Sequence, residues 1–265
     1  MGELDRLFDL VLVRPPSKSY LKCVSSNPEK SNIDLTLAKE QHRDYVLMLK
    51  ESGIKVIELE PLEGFPDSVF MQDPALLGSH HSVIGRFGET TRRGEEKALI
   101  EDLKSRRIEL GRMTTINPPG TLEGGDVVVT DRGIFVGESS RTNSRGIRQL
   151  AESLPGLNVL SVETNLFHLL CGCSYLNDGT MMIVPELVDS NSFPGFRFID
   201  LSKEDAYAAD ALYLGEGRVL IPSGYPKASK RVKEAGYRPV EVDVSEFWKG
   251  DGGVTCLSSP VYNVF

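Results

Sequence analysis

The chain of 265 residues is poor in cysteine, with four, and has a single tryptophan. No apolar run approaches the roughly 18 residues of a bilayer-spanning helix. Four cysteines in so long a chain are too few for a disulfide framework, so Cys23, Cys171, Cys173 and Cys256 are judged one by one. Positive charge is also short: 30 Lys and Arg stand against 38 Asp and Glu, a net charge of −8. Such a chain has no general field to attract phosphate backbones or anionic lipid, and neither nucleic acid nor membrane is an expected partner. The first residues, Met1-Gly-Glu-Leu-Asp-Arg6, are charged and lead into a run, Leu10 to Val13, too short for the apolar part of a signal peptide; a cytoplasmic protein is expected. What remains, 40% hydrophobic residues with 25 Gly and 15 Pro, is ordinary globular composition, neither disordered nor fibrous.

Four stretches share one layout of apolar run, tight turn and second apolar run: Ala75 to Gly85, Asp126 to Gly137, Ser174 to Val184 and Ala211 to Ile221. Each reads as a β-hairpin. Helical periodicity covers Leu35 to Glu51, Arg93 to Lys104, Ser144 to Ser153 and Pro226 to Glu234. The hairpins recur every 40 to 50 residues or so, a spacing that signals repeated architecture. Leu10–Val13, Leu35–Glu51 and Val56–Leu59 from one end, with Val240–Val244 and Thr255–Tyr262 from the other, complete a fifth unit. No linker divides the chain, so residues 1–265 are read as one α/β domain of repeated units closed in a ring.

Several motifs carry polar groups in positions where chemistry is available. Leu122-Glu-Gly-Gly-Asp-Val127 sets Glu123 ahead of a strand beside glycines that allow unusual backbone angles, although a solvated turn has the same composition. His168 sits among apolar neighbours, where an isolated histidine is ordinarily a neutral core residue unless a carboxylate accompanies it. His80 and His81 fall at a hairpin tip and are expected to be exposed. Cys256 follows Asp251-Gly-Gly, a turn that would leave a thiol accessible; without partners it is a structural cysteine. His168, Cys171 and Cys173 form a His-x-x-Cys-x-Cys string, but the spacing is unusual for structural zinc and core packing accounts for it. Asp67 and Asp73, six residues apart, would face one side of an extended segment and receive a cation, or merely start a turn. Arg92-Arg93 and Arg141 follow hairpins at equivalent places and could converge on a carboxylate, or stay on the surface.

Together these motifs resemble the guanidino-group-modifying enzymes of the arginine deiminase superfamily, most closely the dimethylarginine dimethylaminohydrolase family. The resemblance runs from about Leu10 to Ser259 through Val69-Phe-Met-Gln-Asp73, Leu122-Glu-Gly-Gly-Asp-Val127, Val136-Gly-Glu-Ser-Ser-Arg-Thr-Asn143, His168-Leu and Asp251-Gly-Gly-Val-Thr-Cys256. It implies a five-bladed α/β propeller of ββαβ units with the active site in a central channel. It further implies Cys256 as nucleophile, His168 as general acid and base, and Glu123 as the carboxylate orienting it. Asp73 is implied to hold the guanidinium, Arg93 and Arg141 the amino-acid carboxylate, and Asp67, Gln72 and Asp251 the rest of the substrate site.

Two departures bear on the substrate. Gln72 stands where many relatives carry Glu, and Leu170 stands where arginine deiminases carry an acidic residue. Fewer carboxylates suit a methylated guanidinium, which has fewer N–H donors than arginine. The implied reaction is attack by Cys256, loss of methylamine or dimethylamine, and hydrolysis of a covalent thiouronium to citrulline, with no metal or organic cofactor. The expected partner is a small guanidino compound, and a homodimer is left open. The competing readings are arginine deiminase, an amidinotransferase-like enzyme, a catalytically silent binding protein and a metal-binding protein.

Overall fold

The computed structural model describes residues 5–265, so the first four residues of the charged amino-terminal segment lie outside it. The first strand, β1 (Phe8–Val13), is followed by α1 (Leu35–Glu51) and β2 (Lys55–Glu58). Asp34 starts α1 by accepting the backbone N–H groups of Thr36 and Leu37 at 2.8 and 3.2 Å, which satisfies two donors that have no intrahelical partner. Ala38, His42, Tyr45, Val46 and Leu49 then recur at helical spacing and form its buried face.

Next come β3 (Ala75–Gly78), β4 (His81–Ile84), α2 (Glu95–Ser105) and β5 (Arg112–Thr115). The helix begins two residues later than its periodicity suggests. Arg92 ends a short 3-10 turn over Thr90–Arg92, and Gly94, at φ +118°, breaks the chain before Glu95. A third unit holds β6 (Val127–Thr130), β7 (Gly133–Glu138), α3 (Ser144–Ser153) and β8 (Val159–Glu163). The fourth holds β9 (Cys173–Tyr175), β10 (Thr180–Ile183) and β11 (Arg197–Asp200), with only a 3-10 turn at Ser190–Ser192 in place of the helix. The fifth holds β12 (Leu212–Gly215), β13 (Arg218–Pro222), α4 (Pro226–Glu234) and β14 (Arg238–Val242). A single-turn helix, α5 (Ser245–Trp248), leads to β15 (Ser258–Tyr262).

In every unit the first two strands pair antiparallel and the third joins in parallel after the crossover. The unit made from the chain ends obeys the same rule. β15 pairs antiparallel with β1 from Phe8↔Tyr262 to Val13↔Ser258, and β2 adds in parallel. Val240–Val244 does not take part in it: β14 belongs to the preceding unit, in parallel with β13, because the crossover through α4 returns the chain to its own hairpin. The result is the five-bladed α/β propeller, with β15 and β3 also joined edge to edge at Val261↔Leu77 and Tyr262↔Gly78.

β6, β9, β12 and β15, each the first strand of its unit, line a central cavity of about 50 Å³. Apolar clusters fill the spaces around it, the largest joining Val11, Tyr45, Leu49, Phe247 and Leu257. Of the two hairpin histidines, His80 is exposed, whereas His81 is half-buried on β4 with a ring nitrogen 3.3 Å from Thr114 Oγ1. Among the described residues no helix is long and apolar enough to cross a membrane.

Arg6, 7% exposed, links the chain-end unit to its neighbour. It donates to the carbonyls of Phe8, Ser52, Gly53 and Leu214 at 2.8–3.0 Å. Replacing it with Met would leave those acceptors unsatisfied, and hydrogen bonds to a charged group contribute about 1.5–3 kcal/mol apiece before non-additivity. Arg6→Met should therefore lower the denaturant-unfolding free energy by about 2–4 kcal/mol. Arg197→Met, which removes an exposed pair with Asp178, should cost under about 1 kcal/mol in the same measurement.

Candidate active site

The segments that enter the first strand of each unit converge on one end of the channel. Asp73 lies two residues before β3, Cys256 two before β15 and Asp210 two before β12, while Glu123 and His168 lie in the turns that lead to β6 and β9. A small cavity there is lined by Asp67, Asp73, Arg92, Arg141, His168 and Cys256, with Val24, Phe70, Phe167 and Gly250–Gly252 at its walls.

Glu123 is fully buried and uses both oxygens. Oε1 accepts the N–H groups of Gly88 and Glu89 at 2.9 and 3.1 Å, and Oε2 accepts Arg141 Nη1 at 3.1 Å and faces His168 Nε2 at 2.9 Å. The other imidazole nitrogen, Nδ1, is 3.9 Å from Asp73 Oδ1. Gly125 makes this approach available, since a Cβ there would meet His168 Nδ1 at 2.5 Å. Burial disfavours charge on His168, but Asp73, Glu123 and Asp126 outweigh it and hold the imidazole protonated, its pKa pushed up to about 9. Asp73 accepts Gly125 N–H at 3.0 Å and Arg92 Nη1 at 2.5 Å. Burial alone would raise its pKa; His168 and Arg92 hold it below the usual value.

Arg92 and Arg141 complete the charge balance. Arg92, 3% exposed, forks onto Glu95 at 3.1 and 2.8 Å, reaches the carbonyls of Asp67 and Phe70, and lies over the Phe87 ring. Arg141 stacks on Phe167 with its guanidinium carbon 4.1 Å from the ring centroid. Asp67 accepts Val24 N–H through both oxygens, and Asp251, at φ +60°, accepts Ser26 N–H at 2.7 Å; each ties the 24–26 segment to the cavity rim. Asp73, Glu123 and His168 bring one donor atom each within 4.8 Å of one another, yet both carboxylates already face an arginine and the imidazole is protonated, which suits ion pairing rather than a metal ligand set. Burial and the nearby Asp210 and Asp73 carboxylates raise the Cys256 thiol well above its ordinary pKa.

A family model described as N,N dimethylarginine dimethylhydrolase, eukaryotic, matches residues 22–188. The N(G),N(G)-dimethylarginine dimethylaminohydrolase of Pseudomonas aeruginosa is 36% identical, over 95% of this chain and 99% of that one. The chain belongs to the dimethylarginine dimethylaminohydrolase family. An uncharacterised protein of Aeropyrum pernix is 42% identical over 100% of this chain and 99% of its own. The solved structure of the Pseudomonas aeruginosa enzyme, a cysteine-to-serine mutant complexed with citrulline, superposes with a TM-score of 0.89 at 34% identity, covering 96% of this chain and 100% of that chain.

Within this family fold, two sequence expectations need correction, the place of Arg93 and that of Gln72 and Leu170. Arg93 is exposed, bonds Phe87 O at 3.1 Å and lines a different surface depression; the buried arginine in the cavity is Arg92, because the 3-10 turn ends there and turns the next side chain outward. Gln72 donates to Gly124 O at 3.3 Å and, like Leu170, lines the central cavity behind the site rather than the one holding Cys256. Neighbouring residues thus divide between the two cavities, Gln72 from Asp73 and Thr255 from Cys256. Cys173, expected from the sequence to be explained by core packing, has its thiol buried against Leu169 O at 3.6 Å in a cluster with Phe135 and Met181.

Two buried carboxylates were not singled out as functional in the sequence. Asp126 accepts Ser139 Oγ at 2.7 Å and Leu169 N–H at 3.0 Å, so it braces the residue after His168 and the turn before Arg141. Asp210 meets Cys256. Its only available signal was its place two residues before a repeated hairpin strand, which it shares with Asp73 and Cys256.

Because His168 is protonated in the fold up to pH about 9 but only up to about its ordinary 6.5 when unfolded, its contribution to stability is complete below the lower value. That contribution is lost as pH rises through the upper one. Unfolding free energy should decline across this interval, and in a Glu123→Gln variant, which removes a charge that favours the imidazolium, the decline should be smaller and finish at lower pH. Denaturant titrations at a series of pH values measure both.

Proposed function

We propose that the protein hydrolyses N-methylated arginines to citrulline and methylamine or dimethylamine, acting as one domain over residues 1–265. The observation that carries this reading is the cavity itself, which holds a thiol, a protonated imidazole 2.9 Å from a buried carboxylate, and the carboxylate of Asp73 3.9 Å from the other nitrogen of that imidazole. A guanidinium carbon is a poor electrophile because resonance spreads its charge, so an aimed thiolate is needed in place of water. Cys256 attacks that carbon and forms a C–S bond. His168, held as imidazolium by Glu123, gives its proton to the departing amine nitrogen as the C–N bond breaks. The neutral imidazole then takes a proton from water as it attacks the thiouronium, and collapse releases citrulline and frees the sulfur.

Asp73 and Asp67 attract the cationic end and the amino group, with Asp251 at the rim. Arg141, with one bond to Glu123 recorded among the described residues, retains donors for a substrate carboxylate. Arg92 is engaged by Asp73, Glu95 and two carbonyls and sets the field around Asp73. Phe70 and Phe167 supply apolar wall for N-methyl groups, and Gln72 and Leu170 add no carboxylate behind them.

The test is citrulline release from asymmetric dimethylarginine, monomethylarginine and arginine, with Cys256→Ser as the inactive control. The methylated substrates should have kcat/KM higher by about tenfold or more, the cost of leaving one or two arginine N–H donors unpaired at 1–3 kcal/mol each. Faster turnover of arginine would overturn the substrate assignment. Arg141→Ala should weaken binding of these amino acids by about 1.5–3 kcal/mol, read from KM, and affect a decarboxylated analogue less; Arg93→Ala should leave KM within about twofold, as expected of a surface change.

A further inference from the structure

Asp210 is 4% exposed and lies two residues before β12, the position in its unit that Cys256 and Asp73 hold in theirs. Oδ1 accepts Thr255 N–H at 2.6 Å, and Oδ2 is 3.8 Å from Cys256 Sγ, within the longer reach of a sulfur hydrogen bond. Gly253 leaves room for this contact, because a Cβ there would lie 2.3 Å from Asp210 Oδ2. The carboxylate is therefore clamped to the nucleophile's own turn by a neighbouring backbone N–H and has its second oxygen on the thiol.

Two of the other buried carboxylates at the centre are paired with arginines, and Asp126 is held by Ser139 Oγ and Leu169 N–H, away from the thiol. Asp73 faces Arg92 and Glu123 faces Arg141, whereas among the described residues Asp210 has no arginine or lysine partner. The mechanism also leaves a proton without a destination. A His168 that is already an imidazolium cannot accept the thiol proton, so the group that donates to the leaving amine is not the group that activates Cys256.

We propose that Asp210 is a further catalytic residue, the general base that accepts the proton of the Cys256 thiol as the sulfur attacks. The S–H bond breaks and an Oδ2–H bond forms while the sulfur electron pair makes the C–S bond. When the thiouronium is hydrolysed and the C–S bond breaks, Oδ2 returns the proton to sulfur, so Asp210 and Cys256 end as they began. Burial raises the carboxyl to about 6, offset in part by the Thr255 hydrogen bonds, which leaves it ionised at neutral pH and more basic than an exposed aspartate. The titratable groups that feel its charge are Cys256, which it contacts, and Cys171, Tyr45, Tyr207 and His168. Burial raises the thiols and phenols among them, so His168 is the one that carries charge at neutral pH.

The inference rests on Cys256 as nucleophile but not on the identity of the substrate, so the closing experiment measures the thiol directly. Iodoacetamide alkylation of Cys256 is followed by mass spectrometry against pH in the wild type and in Asp210→Asn, which keeps an oxygen for Thr255 N–H and removes the base. Wild-type alkylation should show an acid limb with a midpoint near pH 6. Asp210→Asn should lose that limb, alkylate at least tenfold more slowly at pH 7 and turn over about 10²–10⁴-fold more slowly with KM little changed, the range for a positioned base, at an unaltered melting temperature. Alkylation of the variant as fast as or faster than the wild type would mean that the carboxylate only repels a thiolate, and would overturn the proposal. Should the variant not fold, the wild-type profile decides: a limb near pH 6 supports Asp210, and reactivity that rises only above pH about 9, as for an unassisted buried thiol, overturns it. Failure of methylarginine as a substrate would leave the alkylation result standing.

Discussion

The antiparallel pairing of β1 with β15 is the constraint on which the rest depends. It joins strands at the two ends of the chain, from Phe8↔Tyr262 to Val13↔Ser258, and so converts a row of repeated units into a closed ring. Closure is costly in chain entropy because the partners are far apart in sequence, but it completes the chain-end unit, joining β1 and β2 to β15 in one sheet. It also fixes where Cys256 stands. The cysteine lies two residues before β15, so the register of that strand sets the distance of the thiol from Asp210, which belongs to a different unit.

A ring of this kind assembles a site without any long catalytic loop. Each unit enters its first strand from a turn at the same end of the channel, and each turn contributes one polar group to the centre. Backbone N–H groups at those turns do much of the holding: Gly88 and Glu89 hold Glu123, Gly125 holds Asp73, Leu169 holds Asp126 and Thr255 holds Asp210. Such donors are rigid, and they compensate the desolvation of each carboxylate more reliably than flexible side chains would.

Charge at the centre is distributed rather than simply paired. Glu123 shares Arg141 with the Phe167 ring, Asp73 shares Arg92 with Glu95, and His168 stays protonated between Glu123 and Asp73. Burying this many ionised groups is tolerable only because each has a counter-charge or several hydrogen bonds within reach. The arrangement sets a protonated imidazole on the side of Glu123 and a carboxylate on the side of the thiol.

Much of this was legible in the residues. Hairpin spacing and helical periodicity determined the repeat, and α1, α3 and α4 have the boundaries that their apolar patterns indicate, because each pattern is local and complete within its own segment. The chemical types that reach the site, Cys256, His168, Glu123 and Asp73, were legible through the family resemblance of their motifs, whereas each residue taken alone was also consistent with a turn or a core position. Tertiary structure alone decided which of two adjacent arginines is buried, because one residue of difference at the end of a 3-10 turn reverses the direction of a side chain. It alone placed Gln72 and Leu170 behind the site, since consecutive residues at a channel wall face opposite cavities. And it alone brought Asp210 to Cys256, a contact across 46 positions that no local pattern encodes and that exists only once the ring is closed.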